Sequence, residues 1–305
     1  MYTEHYGLAQ LPFTISPDTH FLYAHPSYLD ALNTLVVAVR SGEGFIKVVG
    51  EVGTGKTLLC RKLLNVLEGE GYVTAYVPNP YLEPMTLLLA VADELGVAYE
   101  ANCNQHQLLK LLTGFLIEAH REHKHVVLCL DEAQAMPVET LETLRLLSNL
   151  ETEQSKLLQV VLFGQPELDV KLDDPAIRQL KQRIAFSCNL KPISNDDVER
   201  YVAFRLEVAG YHGPRLFARE AVRLLHRASR GVPRLINILA HKAMMAGYGE
   251  GARYITDRYV KLAIADTEST RARLKLRRAR LLKLAGAAVA ATMLSAGALV
   301  WGHWL

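Results

Sequence analysis

The sequence predicts an α/β chain that turns wholly helical and then enters a transmembrane helix, and three observations carry that prediction. Apolar strand-like runs alternate with helix-patterned stretches as far as Lys191, only helical patterning follows, and the 22 residues from Leu284 to Leu305 contain no charged side chain. With 305 residues, 50% of them hydrophobic and 22% charged, the chain can fill one or two domains with a proper core and is too apolar to be disordered.

The opening, "MYTEHYGLAQLPF", has no basic segment followed by a long apolar core, so it is not a signal peptide. Residues 1–41 are a leader and first helix, and 42–190 the α/β core. In that core "GFIKVVGEVGTGKTLLCRKLLNVL", Gly44 to Leu67, reads as a buried strand, a glycine turn and a helix. Gly50, Gly53, Gly55, Lys56 and Thr57 meet the pattern GxxxxGK[ST] in the strand–turn–helix context that the motif requires. Glycines let backbone N–H groups wrap phosphates, Lys56 reaches the β and γ oxygens, and Thr57 offers a hydroxyl to Mg2+. The predicted cradle for ATP is therefore Gly50, Glu51, Val52, Gly53, Thr54, Gly55, Lys56, Thr57 and Leu58.

Further on, "HVVLCLDEAQ" sets Asp131 and Glu132 directly after the apolar strand Val126 to Leu130. Asp131 is placed to hold Mg2+ together with Thr57, and Glu132 to orient and polarise an attacking water. An acidic pair that merely ends a strand is the plainer reading, and the phosphate loop upstream argues against it. The run "LLQVVLFGQPEL" ends in Gly164 and Gln165. A polar residue at the tip of such a strand contacts the γ-phosphate and lytic water in ring ATPases, so Gln165 is the candidate, with turn chemistry as its alternative. In "AIRQLKQRIAFSCNL" a helix bearing Arg178, Lys181 and Arg183 leads into a fifth strand, Ile184 to Leu190. Arg183 is best placed as a finger for a neighbouring subunit's nucleotide, Arg178 is second, and either can be a solvated helix charge.

Residues 191–268 read as a helical lid. "PISNDDVERYVAFRLEVAG" carries Ser194 as N-cap with Asp197 three residues on and a stop at Gly210, and "SRGVPRLINILAHKAMMAG" starts a helix at Gly231 and Pro233. Arg234 falls in that helix's first turn, where the dipole disfavours a cation and an anion would compensate it. It is thus a candidate nucleotide sensor, or else a salt-bridged structural arginine. Cys60, Cys103, Cys129 and Cys188 show no CxxC spacing and suit reduced thiols in the cytosol.

The overall charge of +2 hides an asymmetry. Seven basic residues between Arg271 and Lys283 face no acid, which leaves 27 basic against 32 acidic side chains in residues 1–270. A net-negative body argues against nucleic acid as the main partner. The segment 269–283 is a basic juxtamembrane run. Residues 284–305, at about 1.5 Å rise each, reach about 33 Å as a helix, enough for one span with its basic flank inside the cell and with Trp301 and Trp304 at an interface. An Ala-rich helix packed on the body is the alternative.

As a set, "HYGLAQLPFTISPDTHFLY", "GEVGTGKT", "LDEAQ", "LFGQPEL", "LKQRI" and "GVPRLIN" resemble, in order, the AAA+ secretion ATPases of the ExeA/GspA type, and more closely the MshM-type ATPases of MSHA pilus biogenesis. The resemblance spans roughly residues 5 to 265. It implies a P-loop AAA+ doubly wound core with a small helical lid, a homo-oligomer, as a ring, with nucleotide between subunits, and work on an envelope apparatus of the type IV pilus or type II secretion kind at the bacterial inner membrane. Longer secretion members continue into a periplasmic peptidoglycan-binding domain, whereas this sequence stops at Leu305, so the resemblance carries no cell-wall binding here. Two other functions fit the motifs: DNA handling of the transposition-regulator type, and polysaccharide export or envelope protein sorting.

Overall fold

A computed structural model describes residues 2–268 apart from 17, 70, 79–80 and 149–155. The basic segment 269–283 and the expected span 284–305 lie outside the described residues. Among the described residues no helix is long and apolar enough to cross a membrane.

Five strands, β1 (Phe45–Val49), β2 (Tyr72–Val77), β3 (His125–Leu130), β4 (Leu158–Gly164) and β5 (Ile184–Asn189), form one parallel sheet in the order β2-β3-β4-β1-β5. Composition sets that order. All seven β4 residues are buried, as befits a mostly apolar central strand, while β2 and β5 carry many half-buried or exposed positions and sit at the edges. β2 is the strand that the sequence reading leaves unplaced.

Helices α1 (Tyr2–Tyr6), α2 (Pro26–Arg40) and α3 (Lys56–Leu67) precede β2; α4 (Pro84–Glu94) and α5 (Gln105–Arg121) lie between β2 and β3. α6 (Val138–Leu147) precedes β4, and α7 (Glu167–Leu172) and α8 (Arg178–Arg183) lead into β5. Side chains alternate across the sheet. Ile46, Val48, Val127, Cys129, Val161 and Phe163 pack with Leu35 of α2 and with Leu59 and Leu63 of α3. Phe45, Val77, Leu128, Leu130, Val160 and Leu162 pack with Leu88, Leu112 and Leu144 from α4, α5 and α6. The sheet is therefore covered on both faces, as a doubly wound α/β layer requires.

The remaining helices are α9 (Asn195–Val208), α10 (Arg219–Ser229), α11 (Pro233–Gly249) and α12 (Asp257–Asp266). Ser194 caps α9 as expected, its Oγ accepting from the Asp197 N–H at 3.2 Å. By contacts the described residues divide into two units, one within 15–208 together with 231–235 and one of 2–14, 209–230 and 236–268. That division cuts across the expected bounds of leader, core and lid. α9 belongs with the sheet because Arg205, itself buried, lies 4.3 Å over the Phe21 ring, and Tyr23 sits 5.8 Å from Tyr201 and 5.6 Å from Phe204. The first residues belong with α10 to α12. The Tyr2 hydroxyl pairs with His241 Nδ1 at 2.8 Å, Tyr6 donates to the Met244 carbonyl at 3.2 Å, and the Ala9 N–H donates to the Ala209 carbonyl at 2.9 Å.

Candidate functional site

The loop after β1 is held by both its ends. The Gly50 N–H donates to the Gly164 carbonyl at 3.1 Å, which ties the loop to the tip of β4, and α3 begins at Lys56. Gly53 and Gly55 have φ of 82° and 102°, the left-handed region where a side chain is strained. A Cβ on Gly53 would also stand 2.5 Å from that of Arg234. Between them Thr54 donates from Oγ1 to the Glu51 carbonyl at 2.8 Å. Val52 is exposed at the crest, and Leu58 is half-buried on the first turn of α3. The first N–H groups of α3 have no partner within the helix and make this end positive.

Lys56 is 5% exposed, and its ammonium donates to the carbonyls of Gly50 at 2.8 Å and Glu51 at 3.2 Å. Burial pulls its pKa below the ordinary lysine value, against the opposing charges of Glu132 and Asp131. Thr57, on the next position of α3, donates from Oγ1 to Asp131 Oδ2 at 2.5 Å. Asp131 directly follows β3, is 2% exposed, and accepts the Glu132 N–H on Oδ1 at 2.9 Å. Burial raises its pKa above the usual carboxylate range. A buried carboxylate touching a hydroxyl, without a cation in salt-bridge contact among the described residues, is a hard-oxygen donor pair of the kind Mg2+ takes, with phosphate oxygens and water completing the shell. The residues present fit both ATP phosphates and Mg2+.

Glu132 has φ 54° and ψ 36°, left-handed for a residue with a side chain, which costs about 1–3 kcal/mol and aims it away from the line of the strand. Its Oε2 accepts from Gln165 Nε2 at 2.8 Å and from Gln134 Nε2 at 2.5 Å. The Gln165 N–H donates in turn to Gln134 Oε1 at 3.0 Å, and the Lys171 ammonium donates to the carbonyls of Gln134 and Met136, both at 2.5 Å. The Arg234 N–H donates to the Gly53 carbonyl at 3.2 Å, and its side chain is exposed against that loop. Arg183 stands apart. At the end of α8, its exposed guanidinium donates to the Arg145 carbonyl at 3.5 Å and to Ser148 Oγ at 3.3 Å, with none of its hydrogen bonds going to the loop or to the acidic pair. Arg178 is exposed at the other end of the same helix.

The structure thus brings together Gly50 to Leu58, Asp131, Glu132, Gln165 and Arg234, and leaves Arg183 outside. The sequence reading missed Gln134 and Lys171. Gln134 was visible in "LDEAQ" as a second polar residue beside the pair, but nothing in spacing gives Lys171 away.

Residues 39–172 match the family described as AAA domain, and every residue of that cluster except Arg234 falls inside the match. Over that stretch the chain is similar to AAA domains. Over 292 residues, 96% of its length, it is 41% identical to General secretion pathway protein A of Aeromonas hydrophila, and it spans about half, 53%, of that curated relative. The secretion-ATPase kinship expected from the motif order is the one this comparison gives. Solved structures similar to this chain include Cdc6p of Pyrobaculum aerophilum (TM-score 0.62, 18% identity, 82% of this chain and 70% of that one) and the Aeropyrum pernix ORC1 protein in complex with DNA (0.60, 17%, 84% and 69%). The Thermotoga maritima RuvB Holliday junction branch migration motor is a third (0.54, 16%, 84% and 73%). At these identities the likeness is one of fold.

Proposed function

We propose that the chain binds ATP with Mg2+ and hydrolyses it, and that it uses the cycle as a motor or assembly factor for an envelope apparatus. The observation that carries the reading is the contact of Thr57 with Asp131 beside a buried Lys56, because phosphate charge and a divalent ion are what would relieve all three. Bound magnesium would supply charge to the β and γ oxygens. Thr57 and Asp131 would hold it, and Lys56 would exchange its carbonyl partners for phosphate oxygens. Glu132 would orient a water and take its proton, Gln165 would fix both, and Arg234 would report the phosphate from the edge of the loop. Arg183, exposed and away from its own loop, suits action on a neighbour's nucleotide in a homo-oligomeric ring.

The apparatus is read more finely as a type IV or MSHA pilus, or a type II-like secretion complex, with residues 284–305 as a single inner-membrane span and the ATPase in the cytoplasm. The order of motifs, the kinship with a general secretion pathway protein and the apolar run after seven positive charges support that reading. Lys56→Ala is expected to abolish nucleotide binding, while Glu132→Gln keeps binding and loses hydrolysis; steady-state turnover and titration with a fluorescent nucleotide separate the two. Equal loss of binding in both would refute the division of roles. Cross-linking in native membranes, followed by identification of the captured subunits, tests the apparatus, and recovery of DNA in place of envelope subunits would turn the reading to DNA handling.

A further inference from the structure

The Glu132 carboxylate is held asymmetrically. Both amide donors, Gln134 Nε2 and Gln165 Nε2, meet the same oxygen, Oε2, while Oε1 has no hydrogen bond among the described residues. Gln134 does more than donate. Its own amide oxygen takes the backbone N–H of Gln165, so the Gln134 side chain bridges the turn after β3 and the tip of β4. The amide's orientation is fixed by this pairing, since only one placement of its nitrogen and oxygen satisfies both a carboxylate and an N–H. From behind, the Lys171 ammonium of α7 pins the Gln134 and Met136 carbonyls. Glu132 needs such support because its left-handed backbone, once unheld, would relax toward the right-handed or extended region and carry the carboxylate with it.

We propose that Gln134 is a positioning residue for hydrolysis: it locks one oxygen of Glu132 against the tip of β4 and leaves the other free to face the attacking water. The proposal rests on the reading of Glu132 as the group that activates that water. General bases contribute about 10²–10⁴-fold to rate, and a base that has lost its alignment forfeits part of that factor without altering ground-state binding. Gln134→Ala in the full chain is therefore expected to lower kcat by about 10–100-fold with KM and nucleotide affinity unchanged. Gln134→Glu keeps the length and the acceptor for the Gln165 N–H but sets a second carboxylate against Glu132. It is expected to be at least as damaging, whereas a role in packing alone would tolerate it better than alanine.

The deciding measurement is a double-mutant cycle of Gln134→Ala with Glu132→Gln, read by ATP turnover, with binding of a fluorescent nucleotide and thermal melting followed in each variant. If Gln134 acts through Glu132, its loss costs little further once Glu132 is gone. Additive losses, a fall in nucleotide binding that parallels the fall in turnover, or full activity in Gln134→Ala would each overturn the proposal. Wild-type turnover in Glu132→Gln would overturn the reading of Glu132 itself, a result distinguishable because the Gln134 variants are not needed to obtain it.

Discussion

Asp131 poses the sharpest conflict at the level of single residues. Its carboxylate is buried and its pKa is raised by that burial, so the protein bears an unfavourable charge there. The sign follows from the raised pKa. Above it the folded state carries a desolvated anion; as pH falls through it toward the unfolded value, the folded state takes up a proton first and gains stability. Asp131→Asn is therefore expected to raise the melting temperature of the nucleotide-free chain near neutral pH by a few degrees and to remove this gain on mild acidification, while abolishing the stabilisation that Mg-ATP gives the wild type. Differential scanning calorimetry of both proteins from neutral pH down into the acid range checks it; a variant melting below the wild type throughout would count against the account. Residues of this kind were legible because the phosphate loop and the acidic pair are fixed spacings along the chain. The bridging contact of Gln134 to Gln165 and the place of Lys171 were not, because those partners lie 31 to 37 residues apart and only pairing of β3 with β4 brings them near.

Among the elements, α8 is the informative one. It is a helix of six residues with Arg178 at its start and Arg183 at its end, and the latter guanidinium rests at the C-terminal end of α6 on the Arg145 carbonyl and the Ser148 hydroxyl. Such a perch is weak and exposed, so the side chain is free to leave it for a stronger anion. Arg183→Ala is expected to cut turnover about 10³-fold or more in the assembled protein while leaving nucleotide affinity of an isolated subunit intact. Mixing it with Lys56→Ala subunits should restore activity, because one mutant keeps a working site and the other a working arginine. Failure to regain any turnover over a range of mixing ratios would argue against action between subunits. Helix and strand identities read well from periodicity, for β1, β3, β4, β5 and α9 fall where the apolar patterning put them. β2 escaped because an edge strand buries only one face fully and its alternation is diluted by threonine and tyrosine.

For the whole molecule, the sequence conveyed the order of parts better than their grouping. A chain-order reading divides residues at Lys191, but aromatic and cation stacking ties α9 to Phe21 and Tyr23 in the unit that holds the sheet, and hydrogen bonds from Tyr2, Tyr6 and Ala9 draw the first residues to α11 and Ala209. Sequence periodicity is local and is blind to contacts across 200 residues. The membrane reading belongs to this scale too. Full-length protein is expected to resist alkaline carbonate extraction, and removal of residues 281–305 to release an ATPase that still binds nucleotide, with the release measured at high salt because the remaining basic residues attract anionic lipid by about 1 kcal/mol each. Stripping of the intact protein by carbonate would refute the span.

The place of β4 in the sheet has a consequence for quality control. It separates β1 from β3, and the loop, the acidic pair and the glutamine tip meet only if all three strands are in step: Val49 beside Gly164, Leu130 beside Leu162. A slip of β4 by one residue would move its tip by about 3.3 Å and turn Gln165 to the opposite face. The chain would keep its helices, its apolar layers and much of its circular dichroism, yet it would have no place for a phosphate. On the proposed reading, retention on immobilised nucleotide is thus a stricter assay of correct folding for this protein than any measure of secondary structure, and misthreaded molecules would be silent passengers in a preparation that looks folded.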